Sequence, residues 1–131
     1  MPTILPPSDV ISAYRLLYRS GLHAVQFAKP ARYTLRDIIR KAFRTEPPSC
    51  FDRERLGNTV LFLQNAARET GMEHKILKNL IFTRYWEAKY RLGVMDSANR
   101  QYVKTGIRRN SYQHFEITLK MLNESMHMCL R

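Results

Sequence analysis

Apolar residues recur at helical spacing through most of this chain. Ile11, Tyr14, Tyr18, Leu22 and Val25 predict a first helix. It starts at Ser8 or Asp9, because Pro6 and Pro7 bar an earlier start and Ser8 can cap free backbone N–H groups. It stops near Ala28, since Pro30 disfavours helical backbone at Lys29. A second helix runs from about Ala31 to Arg44, with Leu35, Ile38, Ile39, Ala42 and Phe43 on its apolar face, and ends at Thr45-Glu46-Pro47-Pro48-Ser49. A third runs from about Asp52 to Glu69, with Leu56, Val60, Leu63 and Ala67 in line, Phe62 and Ala66 beside them, and Gly71 as the C-cap. A fourth spans Glu73 to Arg91, turns Ile76, Leu77, Leu80, Ile81, Tyr85 and Trp86 inward, and closes at Gly93. Val94 to Asn110 reads as a polar loop or short irregular helix. A last helix, Ser111 to Met128, carries Phe115, Leu119, Leu122, Met126 and Cys129 as its seam.

The pattern predicts an all-α protein. Its 131 residues suit one domain with one modest core. At 44% hydrophobic residues it should fold rather than stay disordered. With only 5 Gly and 6 Pro it lacks the regular turns of a β-sandwich. No stretch reaches the ~18 apolar residues of a membrane span.

Charge changes the picture. The net charge is +11 and the pI about 10.1, which implies an acidic partner: RNA, an anionic membrane or an acidic protein. Between Val10 and Thr45, Arg15, Arg19, Lys29, Arg32, Arg36, Arg40, Lys41 and Arg44 face Asp37 alone. Arg32, Arg36, Arg40 and Arg44 recur every fourth residue, a basic stripe beside an apolar face. A second basic block runs from Lys75 to Arg109. Within it Arg100, Lys104, Arg108 and Arg109 are candidates for contact with RNA phosphates.

Candidate chemistry is sparse. Cys50 and Cys129 belong to no metal-binding spacing, and His23, His74, His114 and His127 are scattered. No nucleophile–base–acid set, carboxylate pair or phosphate-cradling glycine run occurs, so the chain reads as a non-catalytic protein. Met1 to Ser12 carries Asp9 and no Arg or Lys, unlike an Arg-rich transit peptide. Import into an organelle would then use an internal signal or a presequence outside these residues.

One motif is more specific. The first helix reads Ala13-Tyr14-Arg15-Leu16-Leu17-Tyr18-Arg19 and the second Arg36-Asp37-Ile38-Ile39-Arg40-Lys41-Ala42-Phe43-Arg44. A Leu-Tyr-Arg tripeptide followed by a basic helix ending in a Phe flanked by basic residues resembles the LYR-motif (complex 1 LYR-like) family of mitochondrial adaptor proteins. The likeness covers residues 10–70, about half the chain. Two registers fit. Leu17-Tyr18-Arg19 matches the tripeptide literally, with His23 where a second Arg would stand. Tyr14-Arg15 has Arg19 four residues later, with Ala13 in place of the Leu.

The resemblance implies an antiparallel three-helix bundle over residues 8–70, with residues 72–131 as a helical extension. It also implies a mitochondrial matrix location and docking of the mitochondrial acyl carrier protein, which would present acyl-phosphopantetheine; the chain would need no cofactor of its own. Tyr14, Arg15, Tyr18, Arg19, Arg36, Arg40, Lys41 and Arg44 would meet the carrier's acidic surface. Leu17, Leu35, Ile39, Ala42 and Val60 would line the acyl chain. The surplus charge favours service to the mitochondrial ribosome, with rRNA nearby, over a respiratory complex or the iron–sulfur machinery. A free-standing RNA-binding helical module is the remaining alternative.

Overall fold

The computed structural model describes residues 7–91 and 101–131 and is helical throughout them. Five α-helices follow in order: α1 (Pro7–Ala24), α2 (Ala31–Thr45), α3 (Arg53–Arg68), α4 (Met72–Arg91) and α5 (Gln101–Met126). A short 3₁₀ turn, Pro48–Cys50, joins α2 to α3.

Helix α1 packs on both α3 and α2, and α4 closes the far side against α2 and α3. The first core cluster draws on all four helices: Ala24, Leu35, Ile39, Leu63, Ala66, Leu77 and Ile81 are buried together. So α4 shares its core with the first three helices. Burying each large aliphatic side chain here contributes about 1.5–3 kcal/mol.

The buried stripe of α1 is made of small residues. Ala13, Ser20, Gly21 and Ala24 are all buried, whereas Ile11 is 50% exposed. The periodicity placed Ile11 on the apolar face, but Tyr14 already meets Phe43 near the last turn of α2, so Ile11 runs past that helix end. Helix α1 also stops earlier than expected, at Ala24. The cause lies before Pro30. The Phe27 N–H donates to the Leu22 carbonyl and the Gln26 N–H to that of His23, with Gln26 left-handed at φ 54°. That is a Schellman-type stop, formed here without glycine.

Asp52 caps α3, its carboxylate accepting from the N–H groups of Glu54 and Arg55 at 2.9 and 3.3 Å. At the other end Glu69, extended at φ −134°, is the C-cap. Gly71, expected to be that cap, instead opens α4: its carbonyl accepts from the Lys75 N–H.

Helix α5 departs most from expectation. It begins at Gln101, so Arg108 and Arg109 stand on a helix and not in a polar loop. Arg108, Tyr112, Phe115, Leu119 and Leu122 are buried or half-buried and recur every third or fourth residue. The last three members of this stripe were expected; the first two were not, because the first member is an arginine whose guanidinium lies over the Tyr90 ring. Helix α5 then ends at Met126, two residues early, where His127 turns left-handed at φ 53°. The last residues fold back over α3. Met128 and Leu130 join Phe62, Leu80 and Leu119 in a second buried cluster. Leu130, beyond every predicted element, is thus a core residue.

Candidate functional site

The two helices that carry the Tyr-Arg pairs and the basic stripe meet along one seam. Tyr14 and Tyr18 stack nearly parallel, 6.1 Å apart and 8° between planes. Tyr14 then meets Phe43 of α2 edge-on at 5.3 Å. Both tyrosines pack against the first core cluster. The two registers therefore converge on one seam, since the tyrosines of both Tyr-Arg pairs stack together there.

Arginines border the seam from both sides. On α1, Arg15 lies three residues before Tyr18 and so shares its side of the helix. On α2, Arg36 and Arg40 lie seven and three residues before Phe43 and share its side. Arg15, Arg19, Arg40, Lys41 and Arg44 are exposed and, among the described residues, form no ion pair. Arg36 differs. It pairs with Asp37 at 3.1 Å and lies over the Tyr33 ring at 5.4 Å. Arg32 is tied to the same ring, donating to the Tyr33 hydroxyl at 2.7 Å with its guanidinium 4.7 Å from the ring centre. Tyr33 was overlooked in the sequence, although its spacing of three from Arg36 signals the contact.

Arg19 faces further round α1. With Ser20 and His23 it lines a shallow groove completed by Gln64, Ala67 and Arg68 of α3. The positive surface therefore runs across the outside of α1 from α2 to α3.

The five residues assigned to an acyl chain are not all together. Leu35 and Ile39 are buried in the first cluster, with Leu17 packed against it. Ala42 is half-buried on α2, and Val60 is buried on α3 outside that cluster. Where the resemblance implies a hollow, Leu35 reaches into the place of the missing Gly21 side chain. A Cβ built on Gly21 would lie 2.6 Å from Leu35 Cδ2. Admitting a fatty chain between α1 and α2 would require this contact to open.

The second basic group is dispersed. Arg100 lies outside the described residues, and Lys104 falls in the first turn of α5. Arg108 lies over the Tyr90 ring at 3.9 Å, while Arg109 is exposed. Arg84, beneath them, bridges Glu87 and Glu116 and covers the Phe115 ring at 5.1 Å. Burial opposes its charge, yet hydrogen bonds to both carboxylates outweigh that and hold its pKa above the usual arginine value. Cys50 and Cys129 are free thiols, and Cys129 lies 3.3 Å from the Thr59 hydroxyl. Among the described residues no group of His, Cys, Asp and Glu is placed to hold a metal ion. Nor is any described helix long and apolar enough to cross a membrane.

Over 80 residues the chain is 38% identical to the UPF0593 mitochondrial protein C806.05 of Schizosaccharomyces pombe. The chain is similar to a mitochondrial protein. The match covers 60% of this chain and 64% of that relative, so a little under two thirds of the relative's length is spanned. No family model matches the chain. No solved structure matches it.

Proposed function

We propose that this protein is a non-catalytic mitochondrial adaptor of the LYR type, which docks an acylated acyl carrier protein on the α1–α2 seam. One observation carries the reading: the Tyr14–Phe43 contact joins the Tyr-Arg helix to the basic helix, and arginines without an ion-pair partner among the described residues border that joint. Such a surface suits an acidic protein that offers a long apolar group. The charges steer and orient the encounter, and the buried chain makes it last. Ten or so buried methylenes at ~0.8 kcal/mol each would contribute several kcal/mol, enough to offset opening the Gly21–Leu35 contact. The mitochondrial matrix follows from that partner, and likeness to a mitochondrial protein supports the organelle.

Within this reading we place the adaptor at the mitochondrial ribosome or its assembly, on the strength of the +11 charge. A respiratory complex is the second reading, favoured by the apolar side chains that α4 and α5 leave exposed. Phe82, Ile107, Ile117 and Met121 are 56–69% exposed. Co-expression with the mitochondrial acyl carrier protein, followed by native mass spectrometry, tests the docking claim. A one-to-one complex carrying an acylated phosphopantetheine is expected. A bare monomer would overturn it. Copurification with ribosomal subunits or with respiratory subunits then decides between the two complexes.

A further inference from the structure

Helix α4 has an outward face that acyl carrier docking does not use. Lys75, Lys78, Phe82, Trp86 and Lys89 recur at intervals of three and four, so they form one stripe about 21 Å long at ~1.5 Å per residue. The side chains that anchor α4, Leu77, Leu80 and Ile81, point the other way into the two core clusters. Trp86, expected inward, therefore belongs to the outer stripe with Tyr85 beside it, and both are half-buried.

The rings touch one another in an edge-to-face cluster. Phe82 is 63% exposed and meets Trp86 at 6.0 Å. Trp86 in turn touches Tyr85 at 5.6 Å and Tyr90 at 6.4 Å. Cations lie directly on these rings. The Lys89 ammonium sits 4.6 Å from the Tyr85 centre and 5.4 Å from that of Trp86, and Arg108 covers Tyr90. Lys75 and Lys78 are exposed at the other end of the stripe. The stripe itself bears no carboxylate; Glu87 lies about a quarter-turn round α4 from Trp86 and is bridged to Arg84.

We propose that this face of α4, with Arg108 of α5, binds single-stranded RNA, its bases stacking on Phe82 and Trp86 and its phosphates meeting Lys75, Lys78, Lys89 and Arg108. Rings with cations on either side decide the class of partner. A base needs an open π-face, and its phosphate needs a cation a few ångströms further along. An apolar protein helix would gain little from four cations, and a duplex would leave Phe82 without a base to stack on. The site stands apart from the α1–α2 seam, so it neither needs nor supports acyl carrier docking.

Trp86 is the chain's single tryptophan, which makes it a built-in reporter. The full chain is titrated with single-stranded oligo(U) and oligo(A) 12-mers and with a 12-base-pair RNA duplex, reading Trp86 fluorescence and the anisotropy of labelled RNA. The expected result is saturable quenching by the single strands, weakening with salt, and at least tenfold weaker binding of the duplex. Phe82→Ala and Lys89→Ala, both folded by circular dichroism, should each lose about tenfold in affinity. Arg15→Ala with Arg19→Ala should lose clearly less. Equal losses from both pairs, tighter duplex binding, or RNA binding with unquenched Trp86 would overturn the proposal. So would quenching by an acidic helical peptide with no response to RNA, which would make the stripe a protein interface.

Discussion

Asn123 holds Leu130 by both of its backbone groups. The Asn123 side-chain amide donates to the Leu130 carbonyl at 2.8 Å, and its oxygen accepts from the Leu130 N–H at 2.9 Å. A side chain thereby replaces the helical ladder that ended at Met126. Neighbouring contacts extend the clasp to α3 and to the end of α2. Asn58 donates to the His127 carbonyl, the Cys129 N–H donates to Thr59, and Arg131 pairs with Glu46 at 2.7 Å. Asn123→Ala should leave two half-buried backbone groups unsatisfied and cost about 1–3 kcal/mol in urea unfolding. Deleting residues 128–131 should cost more, since Met128 and Leu130 each contribute about 1.5–3 kcal/mol by burial. Equal stability of the deleted and full chains would mean that the tail is not docked in solution.

Gly21 and Leu35 give a second, sharper test. Alanine at position 21 would gain up to about 1 kcal/mol in helix propensity. It would also drive a Cβ into a buried Leu35 methyl, and overpacking costs about 1–3 kcal/mol. The clash should win, so Gly21→Ala destabilises by about 1 kcal/mol. In a Leu35→Ala background the clash is gone and Gly21→Ala should stabilise. A double-mutant cycle by thermal unfolding reads that reversal; strict additivity would show that the two helices do not approach this closely.

Asp52 should behave as a helix cap. Asp52→Ala removes the acceptor for the Glu54 and Arg55 N–H groups and should cost about 1 kcal/mol, whereas Asp52→Ser should retain most of the stability. Chemical denaturation of the three proteins side by side measures it.

The exposed arginines of the seam should be dispensable for folding. Arg15→Glu, Arg19→Glu and Arg40→Glu remove side chains that have no partner among the described residues, so each should change stability by about 0.5 kcal/mol or less. Arg84 is the contrast. It is half-buried, bonded to two carboxylates and packed on Phe115, and Arg84→Ala should cost about 1–3 kcal/mol. Melting curves for these four variants separate arginines that hold the fold from arginines available to a partner.

How much of this was legible depended on whether one element or two set the outcome. Leu35, Ile39, Leu63 and Leu77 are inward because their own helices have an apolar side, and periodicity alone locates them. Ile11 looks the same in sequence but lies outside because the neighbouring helix ends, and the Tyr85–Trp86 pair is only half-buried because Leu77, Leu80 and Ile81 take the core side of α4. The start of α5 was hidden by Arg108, whose packing depends on Tyr90 of α4. The folded-back tail rests on Asn58, Thr59 and Asn123, polar residues with no local signature for such a role. At the candidate site, the Tyr-Arg pairs and the basic stripe were visible as spacings. Their meeting through Tyr14 and Phe43 was not, because nothing in either helix alone fixes how the two cross.

The docking claim is tested most directly by calorimetric titration of this protein with mitochondrial acyl carrier protein in two forms, one bearing a long acyl chain and one a free thiol. The wild-type chain should bind the acylated form about a hundredfold more tightly or better, from the methylenes it buries. The Arg15→Glu, Arg19→Glu, Arg40→Glu triple variant, still folded, should lose binding to both. Equal affinity for the two forms, or no binding to either, would contradict the account.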